Sequence, residues 1–87
     1  MTIKDAIRWL EESQLARRVF EEVVVKGKVG AIELQRSLGL EWWLLRHILE
    51  GLMEEGLVAA EEDGYVLTER GRELKEILDT LFRVKGL

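Results

Sequence analysis

Residues 41–58, EWWLLRHILEGLMEEGLV, hold the side chains with the most scope for chemistry. Trp43, His47 and Gly51 are spaced i, i+4 and i+8, so a helix would carry them in one line. Tryptophan is enriched at interface hot spots, and a glycine inside a helix, which costs about 1 kcal/mol relative to alanine, lets another backbone approach. The line indicates a protein or dimer interface, or a surface that stacks on bases or sugars. The alternative is a partly exposed Trp43 that packs on an N-terminal helix, with Gly51 incidental.

Catalytic chemistry is not indicated by the sequence. His47 is the single histidine and has no aspartate–histidine–serine arrangement around it. A lone histidine beside acidic neighbours is more often a surface residue. The chain has no cysteine, no glycine-rich phosphate loop and no cluster of metal ligands. We therefore expect no enzyme activity, no catalytic residue, no metal and no cofactor.

Length and composition bound the class of protein. Eighty-seven residues, 47% hydrophobic and 34% charged, are typical of one small soluble domain. No apolar run approaches the roughly 18 residues of a membrane span, and the charged start lacks the apolar core of a signal peptide. We expect a cytoplasmic protein without a membrane partner. The lack of asparagine beside many glutamates and arginines favours a thermophile.

Two helices are predicted before the segment that carries Trp43, His47 and Gly51. Thr2 and Asp5 predict a capping box that opens a first helix, and Ser13 is a plausible cap for the next. From residue 14 to 26 the apolar residues form two adjacent rows, which predicts a well-buried central helix. We expect one domain over residues 1–87, with an N-terminal helix over residues 1–12 and a core over residues 14–84.

A short helix and a longer helix follow. The short one is predicted over residues 31–38 and ends at Gly39. After a turn of about three residues, a longer helix follows a poor cap, Glu41, and is closed by a left-handed Gly56. The core-facing half of the longer helix is predicted to carry Trp42, Leu44, Leu45, Ile48, Leu49, Leu52 and Met53.

A hairpin is predicted next. Residues 57–62 and 65–67 are extended runs, and Asp63-Gly64 between them is the signal of a two-residue type I′ turn. Turns of this type need positive φ at both central residues, which Asp and Gly tolerate. The sequence therefore predicts a two-stranded hairpin.

A final helix is predicted after Thr68, which can cap it. Its apolar stripe follows the i, i+3, i+4, i+7, i+8 spacing from Leu74 to Phe82. Because Leu81 and Phe82 extend past the expected body of the domain, we predict that this end joins a homodimer.

The order helix, short strand, helix, turn, helix, hairpin and closing helix is α+β and mainly α, and it resembles a winged helix-turn-helix domain. Three stretches carry the resemblance: residues 32–40, residues 49–58 ending EEGLV, and residues 65–71 reading YVLTERG. They are similar to small stand-alone archaeal winged-helix proteins and to MarR-, ArsR- and PadR-type regulators. The resemblance covers roughly residue 14 to the end. The resemblance implies a transcription regulator that binds duplex DNA. It also implies a dimer, because regulators of this kind are often joined through terminal helices.

The resemblance also implies a site. The helix from Trp42 would enter the major groove, and the hairpin over residues 61–65 would lie along the DNA backbone. The implied reading positions are Trp42, Trp43, Arg46, His47 and Glu50. Supporting phosphate contacts would come from Gln35, Arg36, Lys26 and Lys28. The candidates for a protein interface are Trp43, His47, Gly51, Leu81 and Phe82.

The charge of this segment opposes DNA binding. Residues 41–69 contain eight acidic side chains, and Arg46 is the one lysine or arginine among them. The whole chain has a net charge of −4. Duplex DNA is held largely through neutralisation of its phosphates by lysine and arginine, so a wing reading EEDG would repel it. The alternative function is a winged-helix protein-interaction module, in which the outward face of the Trp43 helix meets a partner protein without DNA.

Overall fold

The computed structural model describes the backbone of residues 2–85 and the side chains of residues 2–81. In this part the chain forms five helices and three strands, in the order α1 (Ile3–Glu12), α2 (Gln14–Lys26), β1 (Lys28–Val29), α3 (Ala31–Leu38), α4 (Trp42–Glu54), β2 (Val58–Glu61), β3 (Gly64–Leu67) and α5 (Glu69–Lys85). None of the described helices is long and apolar enough to cross a membrane. The α+β, mainly helical fold predicted from the sequence is confirmed.

Local side-chain caps start the first two helices. Thr2 Oγ1 accepts a hydrogen bond from Asp5 N at 3.3 Å, and the Asp5 carboxylate accepts from Thr2 N, so the predicted capping box is formed. Ser13 ends α1 and begins α2, where its hydroxyl accepts from Ala16 N at 3.2 Å. These bonds satisfy backbone donors that the start of a helix leaves free. Because Ser13 caps α2 directly after α1, a single residue separates the two helices.

The core forms around α2, against which α1, α3 and α4 pack. Its largest buried side chain is Phe20, beside Val19 and Val23. From α4 the buried side chains are Leu45, Ile48, Leu49 and Leu52, as the spacing predicts. Trp42 departs from the predicted apolar half, because it stands at the first position of α4 and is 51% exposed.

The sheet has three strands in the order β1-β3-β2, all antiparallel. The predicted type I′ turn at Asp63-Gly64 is wrong. Glu61 pairs with Gly64, so the loop residues are Glu62 and Asp63, and no non-glycine residue of the described chain has positive φ. Gly64 is required for a different reason: a Cβ there would lie 2.9 Å from the carbonyl oxygen of Val29 in the neighbouring strand.

Thr68 and Arg70, at the start of the last helix, donate hydrogen bonds to the two residues that follow α4. Thr68 Oγ1 accepts from Gly71 N at 3.0 Å, as predicted for a cap, and donates to the Gly56 carbonyl at 2.6 Å. Along α5, Leu74 and Leu78 are buried, whereas Ile77 is 37% exposed and Leu81 is half-buried. The side chain of Phe82 lies outside the described residues.

Candidate nucleic-acid interface

Helices α3 and α4 form a helix-turn-helix unit joined by residues 39–41. Gly39 adopts a left-handed conformation with φ of 66°, which a glycine adopts without steric cost. Gln35 Nε2 then donates to the Leu40 carbonyl at 3.1 Å, across the turn. The sequence predicts a phosphate contact for Gln35; in the structure its side chain is half-buried, and this hydrogen bond links α3 to the turn that leads into α4.

The first turn of α4 presents two tryptophans to solvent. Trp42 is 51% exposed and Trp43 is 67% exposed. Glu41 does not cap the helix, as expected from its residue type; instead its carboxylate accepts a hydrogen bond from Trp43 Nε1 at 2.6 Å. This bond satisfies the indole N–H and leaves the ring faces available for contact.

A groove of about 570 Å³ runs between α4 and the strand β3. The exposed side of α4 contributes Trp42, Trp43, Arg46 and Glu50 to it, and the wing contributes Tyr65. Ala31 at the start of α3 also lines it. The groove therefore combines three aromatic rings with one arginine and one glutamate, which suits stacking and polar contacts more than bond-making chemistry.

The lysines expected to contact phosphate are held by acidic side chains. Lys26 Nζ lies 3.1 Å from the Glu33 carboxylate, which connects the end of α2 to α3. Lys28 Nζ lies 2.6 Å from Asp63 Oδ1 and 3.7 Å from Glu61 Oε1 at the tip of the wing. The hydrogen bond and charge of Asp63 raise the pKa of Lys28, and the hydrogen bond from Lys28 lowers the pKa of Asp63.

Two arginines of the helix-turn-helix unit differ from these lysines in their surroundings. Arg36 on α3 and Arg46 on α4 are both exposed, and neither forms an ion pair with another residue in the part of the chain that the structure describes. They are thus available to a phosphate or a base without first leaving an acidic partner.

Comparison with known proteins agrees with this geometry. A sequence model described as winged helix-turn-helix matches residues 22–86. The chain belongs to the winged helix-turn-helix family. No curated protein and no solved structure matches it. The match begins inside α2, so α1 and the first part of α2 precede the matched winged helix-turn-helix segment.

Helix α1 contacts α4 away from the groove, through Trp9 and Gly51. A Cβ on Gly51 would lie 2.8 Å from Cη2 and 3.1 Å from Cζ2 of Trp9, so the indole of α1 occupies the space that the missing side chain leaves. The close approach that Gly51 permits is therefore made within the chain. His47 and Gly51 line a pocket beside Trp9, whereas Trp43 lines the groove beside Tyr65, so the predicted line of three residues is divided between two depressions.

One residue of this pocket was missed by sequence reasoning. Glu55, one of the eight acidic residues between positions 41 and 69, is 6% exposed. Its backbone carbonyl accepts from Arg70 Nε at 2.8 Å, but neither carboxylate oxygen has a hydrogen-bond partner among the described residues. The signal was present in the spacing: Ile48, Leu52 and Glu55 stand at i, i+4 and i+7, so Glu55 continues the apolar row.

Proposed function

We propose that this domain is a cytoplasmic transcription regulator that binds duplex DNA, with α4 in the major groove and the β2–β3 hairpin along the backbone. The observation that carries the proposal is the pair of exposed arginines without ion-pair partners, Arg36 on α3 and Arg46 on α4. One arginine on each helix of the motif provides cations for phosphates or base edges on two successive elements.

The aromatic side chains beside Arg46 add contact area to this surface. Trp42, Trp43 and Tyr65 line the same groove as Arg46, and the two tryptophans are the large exposed apolar groups of α4. In the major groove of duplex DNA the thymine methyl groups offer apolar surface to such rings. The groove therefore offers nonionic contacts that partly offset the few cations.

A fluorescence-anisotropy titration with labelled duplex DNA over a series of salt concentrations tests the proposal. Affinity should fall steeply as salt rises, and Arg46→Ala should weaken binding and reduce the slope of log K against log salt by about 1 if the contact is to phosphate. Arg18→Ala is the matched control, because Arg18 is an exposed arginine of α2 away from the groove. Absence of binding at the lowest salt, or equal losses in both variants, would contradict the proposal.

The second candidate is a protein-interaction module without DNA binding. Trp43, 67% exposed and surrounded by an acidic segment, favours it, because exposed aromatic residues rimmed by charge are typical of protein interfaces. The same salt series separates the two candidates: a protein module shows no affinity for duplex DNA at any salt concentration.

We also propose that the domain forms a homodimer through α5. Leu74 and Leu78 face the core, while Ile77 and Leu81 form a second apolar row one position round the helix that is only partly covered. Light scattering at high protein concentration should give twice the mass of the chain, and Ile77→Lys should lower it to that of a monomer. A wild-type protein that stays monomeric would contradict the dimer.

A further inference from the structure

The Glu55 carboxylate is the group in the described chain that the DNA-binding proposal leaves unexplained. Glu55 is 6% exposed, and both of its carboxylate oxygens are buried without a hydrogen-bond partner in the part of the chain that the structure describes. Taking a carboxylate out of water costs several kcal/mol unless a cation or a set of donors compensates for the lost hydration. A buried carboxylate with no such donors is therefore a place where a ligand could supply them.

Glu55 lines a cavity of about 430 Å³ between α1 and α4. A cavity of this size is in the range of small-molecule sites, roughly 300–1,000 Å³. Its other lining residues are Asp5 and Trp9 from α1 and His47, Glu50, Gly51 and Glu54 from α4. The two depressions of α4 are separate, although Glu50 borders both.

The side chains around this cavity favour a positively charged ligand. Four carboxylates line it, and no lysine or arginine is among its lining residues within the described chain. The indole of Trp9 forms the apolar wall, seated on Gly51 because that residue has no Cβ. Aromatic rings attract ammonium groups and also pack on alkyl chains.

An organic cation suits the cavity better than a metal ion. Among the described residues, no group of three or more histidine, aspartate or glutamate side chains is arranged to hold a metal. An ammonium ion needs no tight coordination shell, because it binds through separate hydrogen bonds to individual carboxylates. The lining holds one buried carboxylate, at Glu55, and exposed carboxylates at Glu50 and Glu54, which suits a ligand with more than one positive charge.

We propose that the cavity between α1 and α4 binds a linear aliphatic diamine or polyamine. One ammonium group donates hydrogen bonds to the buried Glu55 carboxylate, and the methylene chain packs on Trp9. A second ammonium group meets the exposed carboxylates of Glu50 and Glu54. The lining of this cavity includes neither Arg36 nor Arg46, on which the DNA-binding proposal rests, although Glu50 borders the groove as well.

Isothermal titration calorimetry of the full chain with 1,4-diaminobutane and with spermidine tests this proposal. Each amine should bind with one ligand per chain, whereas 1,4-butanediol, which matches the diamine in length but is neutral, should give no binding heat. Glu55→Gln should weaken amine binding at least about tenfold, because it removes the buried charge. Glu62→Gln is the matched control: it removes one exposed wing carboxylate outside the cavity and should leave the affinity unchanged.

Three results would overturn the amine site. Equal weakening in Glu55→Gln and Glu62→Gln, or displacement of the diamine by magnesium chloride at matched ionic strength, would show general attraction to an acidic protein. Binding of the diol as tightly as the diamine would show a cavity that does not select charge. An unchanged affinity in Glu55→Gln would show that the buried carboxylate is compensated within the protein.

The wild-type protein gives a test that does not depend on folding of the variant. In nuclear magnetic resonance spectra, 1,4-diaminobutane should shift the indole N–H signal of Trp9, which lines the cavity, more than those of Trp42 and Trp43, which line the groove. Larger shifts at Trp42 or Trp43 would place the amine in the groove and contradict the proposal.

Discussion

Lys28 and Asp63 form the closest ion pair of the wing, with the ammonium nitrogen 2.6 Å from the carboxylate oxygen. Lys28 belongs to β1 and Asp63 to the loop between β2 and β3. The pair forms because β1 adds to the sheet beside β3, with Lys28 opposite Val66. A lysine that could contact DNA is thus directed to the protein's own acidic wing.

Release of Lys28 should strengthen DNA binding. In Asp63→Asn the closest partner of Lys28 loses its charge, so the lysine can turn to a phosphate; we expect tighter binding and a salt slope steeper by about 1. Glu62→Gln is the control, because it neutralises the adjacent exposed wing residue, which forms no salt bridge with Lys28. Anisotropy titrations on the two variants measure the difference. Equal gains in both would indicate only reduced general repulsion.

The pKa of Asp63 should depend on Lys28. The hydrogen bond and charge of Lys28 hold the pKa of Asp63 below its ordinary value, and Lys28→Gln should return it upward. A group with a depressed folded pKa contributes stability that is present above its unfolded pKa and lost as pH falls through the folded value. The raised pKa of Lys28 has the opposite sense: its contribution is present below the ordinary lysine pKa and lost as pH rises through the raised one.

Carbon-detected titration of the Asp63 carboxyl in the wild type and in Lys28→Gln measures this shift. Both side chains are exposed, so added salt should reduce the difference between the two proteins. The same pKa in both proteins would show that the pair does not persist in solution.

Trp43→Ala should separate binding from stability. Because the side chain is 67% exposed, its removal should change the free energy of unfolding by no more than about 0.5 kcal/mol, while DNA affinity falls. Trp9→Ala is the comparison, since the Trp9 ring packs on Gly51 and its loss should cost on the order of 2 kcal/mol. Urea unfolding and anisotropy on both variants test this. A stability loss in Trp43→Ala as large as that in Trp9→Ala, with DNA binding intact, would contradict a binding role.

Gly64→Ala should destabilise the wing. The new Cβ would lie 2.9 Å from the Val29 carbonyl oxygen and 3.1 Å from its carbon, and since these are backbone atoms the strands must move apart, at a cost of about 1–3 kcal/mol. Gly30→Ser is the control: a Cβ at Gly30 meets only the Asp63 oxygen at 3.8 Å, and serine is a favoured cap for α3. Equal stability of the two variants in urea would show that the sheet has room at position 64.

The helix caps could be predicted from the sequence, whereas the turn at Gly64 could not. The caps at Thr2, Ser13 and Thr68 were predicted because each acts on a backbone N–H three residues away, and such short-range bonds depend on residue type and spacing alone. The predicted turn at Gly64 is wrong because the glycine there makes room for the backbone of Val29, which lies in another strand.

The amino-acid sequence alone determined the order of the elements, their caps and the buried face of α4 at Leu45, Leu49 and Leu52, because periodicity and capping are local properties. Only the tertiary structure decided that Lys28 meets Asp63 and that Trp9 covers Gly51. These two contacts join residues 35 and 42 positions apart. Such distances are set by how the elements pack, which no short stretch of sequence specifies.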